Sequence, residues 1–464
     1  MNRVAFAVLA AVSAAPLAPA DSYSLDDLTR RTIERRAVEA VIWGMPAVNY
    51  ELMYQEMLRL GGKPNQIVYW SGLLDWRNQT LTPNPDVIYL MAFFNTNDGP
   101  VVIEIPPEGD GVINGSIMDP WQAALEDVGP AGVDKGAGGK YLILPPGYKE
   151  KVPDGYIALP SANYQGYAVL RSILKSGSEA DVEAAVAYGK RIKLYPFSQA
   201  ASPPETVFLD AIDVVYDSTI PYDLRFFQSL DRFVQQEPWL TRDKAMIDKL
   251  KSIGIEKGKP FRPDDTTQRI LNTAAGEAHA WLDLNYETMF SPYYEGRRWA
   301  FPILPEVIEG LQTQFANPDS YPVDGRGVTY TMAFFSTKHS GVGQFYLMTI
   351  KDKDGQNFAG AGTYRLTVPA NVPVNQYWSA TVYDRVTTLS FAIWPVRAVH
   401  RKVPGCKRTP TVQWTSISGR KLRRPRNRTG CPPAPMENSR SSSVSTGPRN
   451  RCSTKRGCCR TSSK

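Results

Sequence analysis

At 464 residues the chain is too long for one ordinary hydrophobic core, and 42% hydrophobic against 21% charged content excludes a disordered protein. Its net charge of +7 is unevenly spread: residues 390–464 hold 18 of the 53 Lys and Arg and one of the 46 acids, leaving 35 bases against 45 acids elsewhere, a net of −10. All five cysteines (Cys406, Cys431, Cys452, Cys458 and Cys459) also fall in that basic stretch, so the acidic body has neither a disulfide framework nor a thiol nucleophile.

Arg3, an apolar run from Val4 to Ala15 and the small residues Ala18-Pro19-Ala20 predict a signal peptide over 1–20, cut near Ala20-Asp21, and hence a periplasmic or secreted protein. That run is shorter than the roughly 20 residues that span a bilayer, and no later stretch reads as transmembrane. Residues 21–62 read as a helical segment. Ser24 with Asp26 and Asp27 starts it, Pro46 bends or divides it, and Gly61-Gly62 stops it.

Over 63–200 the pattern changes to short apolar runs (IVYW, VIYLMAFF, VVIEI, KYLILP, GYIALP and Tyr167 to Ile173) separated by Gly, Pro, Asn and Asp. That is the grammar of an antiparallel sandwich or barrel. Ser178 then caps a helix, with Asp181 three residues on. Residues 201–318 read as a mainly helical connecting region. Strands return over 319–389 as GVTYTMAFFS, GQFYLMTIKD, TYRLTVP and QYWSATVYD. The fold class is α+β and β-rich, with two antiparallel β-sandwich-like domains joined by helices. Tyr89 to Thr96 and Tyr330 to Thr337 share six of eight residues, either as two similar core strands or as a duplicated β module.

Beyond about Ser390 periodicity is lost, and 390–464 reads as a disordered Arg-, Ser-, Pro- and Cys-rich tail. Shifted by one base, the codons of residues 403–421 permit a strand, an Asp-Gly turn and a second strand, which the unfinished second β domain needs. A frameshift near Thr387–Phe391 is therefore expected, with the second domain incomplete in this frame. The nucleic-acid reading of the basic tail then falls away, and its cysteines lack the paired CxxC spacing of a zinc site.

Chemistry concentrates in the stretch from Gln79 to Pro107, read as two strands joined by a polar turn. Asn84, Asp86 and Tyr89 gather just ahead of its first apolar strand. Asp75, Asp86 and Asp119 stand at strand borders beside Trp76, Tyr89 and Trp121. Two converging carboxyls could serve acid–base or glycosidase-like catalysis, and the aromatics could stack on a sugar. The competing reading has the aspartates capping turns and the aromatics filling the core. Arg171 and Arg297-Arg298-Trp299 could receive an anion. His279 and Asp283 share a helical face without the spacing of a metal site, and Asp352 to Gly355 reads as a hairpin turn ahead of a calcium loop. No G-x-S-x-G elbow is present, and neither a metal nor a cofactor is expected.

These residues resemble the bacterial proteins that pair a DUF1254 domain with a DUF1214 domain. The likeness rests on Val41-Ile42-Trp43-Gly44-Met45-Pro46, Thr82-Pro83-Asn84-Pro85-Asp86, Tyr89, Gly99-Pro100, Asp119-Pro120-Trp121 and Gly139-Lys140-Tyr141 in the first part. In the second it rests on Asp354-Gly355, Tyr364, Tyr377-Trp378-Ser379 and Tyr383-Asp384. Val87 stands where that family often has Thr, and the family's closing strands are missing in frame. The resemblance implies two sandwich-like domains with helices, usually exported, and supplies no catalytic set.

The sequence therefore supports an exported protein that binds a small-molecule or carbohydrate-like ligand in a β-domain cleft. Asn84, Asp86 and Tyr89 would make polar contacts, with Trp76 and Trp121 as stacking surfaces. The alternatives are a hydrolase using Asp75, Asp86 and Asp119, and a cell-envelope assembly module whose β edges pair in a homo-oligomer.

Overall fold

Ser24 caps the first helix, its Oγ accepting from the Asp27 amide at 3.0 Å, while Asp26 and Asp27 offset the positive end of the helix dipole. In this computed structural model the described residues are 24–333, 337–339, 345–360, 362–368, 372–374, 377–388, 397–401 and 411–415. The expected signal peptide and most of the basic tail lie outside them.

The first helix, α1, runs over Leu25–Arg59 without a break, so Pro46 does not divide it. A proline removes one intrahelical donor and leaves the carbonyl four residues earlier open. That carbonyl, on Ile42, is met by Gly327, where an added Cβ would stand only 2.9 Å from the oxygen. Gly61 ends the helix at φ +81°, its amide bonding Leu58 O at 2.9 Å while that of Gly62 bonds Met57 O at 3.1 Å. This double closure satisfies the last carbonyls.

The β layer follows as β1 (Gln66–Tyr69), β2 (Asn78–Gln79), β3 (Ile88–Asn95), β4 (Val101–Ile105), β5 (Ile113–Met118), β6 (Ala124–Val128), β7 (Gly139–Leu144), β8 (Tyr156–Pro160) and β9 (Gln165–Ser172). Helix α2 (Glu179–Gly189) and strands β10 (Lys193–Pro196), β11 (Phe208–Asp210) and β12 (Tyr216–Asp217) complete it. Ser178 caps α2 as expected, accepting from the Asp181 amide at 3.3 Å. One sheet has the order β11-β1-β3-β9-β5-β6 and the other β10-β4-β7-β8. Within these two sheets pairing is antiparallel, except for β1 with β11 and β7 with β8. Both are open sheets, not a closed barrel.

The two sheets stack on a shared core. Ile88, Leu90, Ala92 and Phe94 of β3 meet Val101, Ile103 and Ile105 of β4 there. The other face of β3, carrying Tyr89, Met91 and Phe93, packs into a second core with α1. Burial on both faces explains why this strand shows no polar alternation. The two strands and polar turn expected between Gln79 and Pro107 are present, and because β3 and β4 lie in different sheets the turn carries the chain across the sandwich.

The helical layer comprises α3 (Leu224–Gln236), α4 (Met246–Ser252), α5 (Asp265–Thr288), α6 (Pro305–Thr313) and α7 (Val323–Tyr330). Helix α7 replaces the start of an expected strand. Tyr330 ends a helix whereas Tyr89 lies in a strand, so their similar sequences are not equivalent here, and residues 334–336 lie outside the described residues. The contact with α1 decides this. Gly327 lets α7 approach Ile42 of α1 closely, Gly325 lets it approach Leu304 and Val307 at α6, and Asn49 Nδ2 of α1 donates to Tyr330 O at 2.8 Å. β-branched and aromatic residues yield to such a context. The expected GQFYLMTIKD strand likewise reduces, among the described residues, to two isolated bridges, Met348 with Ala300 and Lys351 with Asn357.

Beyond the Asp352–Gly355 turn, which forms as read, lie β13 (Thr363–Thr367), β14 (Tyr377–Thr381), β15 (Arg397–Arg401) and β16 (Thr411–Thr415). β13 pairs with β16 and β14 with β15, both antiparallel. Two stretches of the tail expected to be disordered are thus strands. Pairing needs only backbone donors and acceptors, which the open edges of β13 and β14 supply. No helix among the described residues is long and apolar enough to cross a membrane.

Candidate functional site

The loop before β3 is built from its own polar side chains. Asn84 Oδ1 accepts from the Asp86 amide at 3.0 Å, and Tyr89 Oη accepts from the Asn84 amide at 3.3 Å. Tyr89 and Arg171 are register partners on β3 and β9, and the guanidinium carbon lies 5.3 Å from the ring centroid. Segment 383–388 covers this loop. Tyr383 donates to Pro83 O at 2.8 Å, and the Thr82 amide donates to Thr388 O at 2.8 Å. Burial, then the nearby Tyr89, holds the Tyr383 phenol far above its usual range. Asn84, Asp86 and Tyr89 therefore come together, at the seam where the C-terminal part of the chain docks.

Beside that seam opens a cleft of about 300 Å³ between α5 and segment 383–388. His279 stacks on Tyr222 with centroids 3.8 Å apart and planes 12° from parallel. Arg385 pairs with Asp283 at 2.5 Å, and its guanidinium carbon lies 4.1 Å from the Tyr286 centroid. An Asx turn presents Arg385, with Asp384 Oδ1 accepting from the Val386 amide at 3.1 Å and the Thr387 amide at 2.9 Å. Burial lowers the His279 pKa from 6.5, against Asp283, so its imidazole is neutral at pH 7. Burial likewise pushes the Tyr286 phenol up to about 12. At neutral pH the cleft offers one guanidinium, one carboxylate, a neutral imidazole and protonated phenols.

His279 and Asp283 were legible as one helical face. Arg385, Tyr222 and Tyr286 were not, although the Tyr383-Asp384 motif directly precedes Arg385. Among the described residues, no three His, Cys, Asp or Glu side chains gather as a metal set.

The remaining candidates lie apart. Asp75 forms an ion pair with Arg77, whose guanidinium carbon lies 5.3 Å from the centroid of Trp76, itself 37% exposed. Asp119 is buried, and its Oδ1 accepts from the Trp121 and Ala123 amides, each at 2.9 Å. Burial raises its pKa, with Arg242 the main opposing influence. None of the three aspartates lines the cleft at α5, nor the second cleft that Trp121 lines with Trp43 and Trp239.

Comparison with known proteins finds two family models. One, described as "Protein of unknown function (DUF1254)", matches residues 64–196. The other, described as "Protein of unknown function (DUF1214)", matches residues 343–405. The second match runs past the 389 boundary expected from composition and takes in β15. No curated protein matches the chain. A crystal structure of the VPA0106 protein from Vibrio parahaemolyticus is similar at 17% identity and a TM-score of 0.48, over 77% of this chain and 81% of that one.

Proposed function

Because this chain belongs to the proteins that pair a DUF1254 domain with a DUF1214 domain, whose family descriptions assign no activity, we propose its function from the cleft itself. The protein binds a small, neutral, polyhydroxylated molecule between α5 and segment 383–388. The carrying observation is the pairing of Arg385 with Asp283 beside the stacked His279 and Tyr222 rings. A guanidinium and a carboxylate side by side present donors and acceptors suited to vicinal hydroxyls, and flat rings suit the apolar face of a sugar. With one cation, one anion and a neutral imidazole, the cleft offers no surplus charge to an ionic ligand.

Export is part of the same reading, supported by the charged, apolar and small-residue segments of residues 1–20. The hydrolytic alternative has less support, because Asp75, Asp86 and Asp119 have different partners and none lines the cleft. A shifted frame beyond about Thr387 is supported by the abrupt gain of bases and cysteines and opposed by the DUF1214 match, which continues in this frame to residue 405; sequencing of the gene tests it.

Calorimetry of the full chain against neutral saccharides, sugar acids and amino sugars tests the ligand class. Saturable binding of a neutral saccharide, weakened at least tenfold in Asp283→Asn, is the expected result. Preference for a charged sugar, or equal affinity in the variant, overturns it.

A further inference from the structure

The second cleft, about 230 Å³ in volume, has no role in the reading above. Trp43, Trp121, Trp239 and Phe233 line it, and its other walls are aliphatic apart from Glu237. The Trp43 and Trp121 centroids are 4.9 Å apart, those of Trp43 and Trp239 6.2 Å, and Phe233 meets Trp121 edge-on at 5.0 Å. These rings come from α1, the turn after β5, the end of α3 and the chain just beyond it. Three segments separated in sequence thus bring aromatic surfaces to one place.

Glu237 is 3% exposed. Its carboxylate accepts from Asn163 Nδ2 at 3.1 Å, from the Tyr164 amide at 2.9 Å and from the Gln165 amide at 2.9 Å. Lys257 approaches, but its Nζ donates to the Glu237 main-chain carbonyl at 2.6 Å. Among the described residues no ion pair reaches the carboxylate. A buried carboxylate is ordinarily paired with a cation. Three hydrogen bonds leave it capacity for a further electrostatic partner.

We propose that this cleft binds a small quaternary ammonium compound, its cationic head against the indole rings and its charge balanced by Glu237. Aromatic rings attract a cation through their quadrupoles, most strongly when both are desolvated, and tryptophan does so best. A primary ammonium would carry three N–H donors into walls that, Glu237 apart, are apolar. A methylated head has no such donors to satisfy, which selects the quaternary class.

Choline and its neutral isostere 3,3-dimethylbutan-1-ol, titrated into the full chain with tryptophan fluorescence and calorimetry as readouts, test the proposal. Choline is expected to bind at least tenfold more tightly than the isostere, and Trp239→Ala to weaken choline at least tenfold. Glu237→Gln should narrow the gap between the two probes. Should Glu237→Gln fail to fold, Trp239→Ala, at a partly exposed position, still decides. Equal affinity for both probes, no saturable binding of choline, or unchanged choline binding in Trp239→Ala overturns the proposal.

Discussion

His279 lies flat on Tyr222, ring centroids 3.8 Å apart and planes 12° from parallel, and so ties α5 to the segment that leads into α3. Such a stack contributes about 1 kcal/mol beyond area burial. His279→Ala should lower stability by about that amount, and His279→Phe, which keeps a ring, by clearly less. Urea midpoints of the two variants measure the difference, and equal losses would refute a stacking role. The imidazole itself should titrate below 6.5 in an NMR pH series, because burial disfavours its charged form.

Glu237 makes stability depend on pH. Burial, reinforced by the charge of Asp119, raises its pKa from 4.5 to about 7, while the Tyr164 and Gln165 amides and Asn163 oppose the rise. Tyr50 on α1 and Lys257, bound to the main-chain carbonyl, are its other polar neighbours. The folded state therefore holds a proton that the unfolded state has released. The contribution is full below about 4.5 and is lost as pH rises through about 7, a decline of about 3 kcal/mol. Urea midpoints at pH 5 and pH 8 should show this slope in the parent chain and a flatter one in Glu237→Gln. Parallel profiles would remove Glu237 as its source.

Two glycines should respond in opposite directions to the same substitution. An alanine Cβ at Gly327 would press on the Ile42 carbonyl left open by Pro46, so Gly327→Ala should cost about 1–3 kcal/mol. Gly276, in the middle of α5, has nothing within 4 Å of such a Cβ, so Gly276→Ala should gain about 0.5–1 kcal/mol. Thermal unfolding of the pair tests this, and a stabilising Gly327→Ala would show that α1 and α7 have slack at their contact.

Export predicts a particular mature N-terminus. N-terminal sequencing of protein recovered from the periplasm or medium should begin at Asp21. Recovery of the chain beginning at Met1 in the cytosol would sink the export reading.

The sequence alone settled the elements that rest on local chemistry. Ser24 and Ser178 cap their helices because a hydroxyl ahead of an acidic first turn satisfies amides wherever it occurs. Gly61-Gly62 ends α1 because only glycine takes its φ without strain. The apolar runs of β1, β3, β4, β7, β8 and β9 were readable as strands, and the family was legible in the combination of short motifs. Tertiary structure decided whatever depends on partners distant in the chain. β3 and β4 separate into two sheets because each strand has better neighbours elsewhere, β9 for one and β7 for the other. Tyr330 ends a helix although its sequence resembles β3, because α1 offers a carbonyl that only a glycine-bearing helix can approach. Arg385 reaches Asp283 across 102 residues, and Trp43 of α1 and Trp121 after β5 join Phe233, Glu237 and Trp239 at one cleft. No spacing within a single element encodes such encounters, since they are fixed by packing of whole layers once the chain has folded.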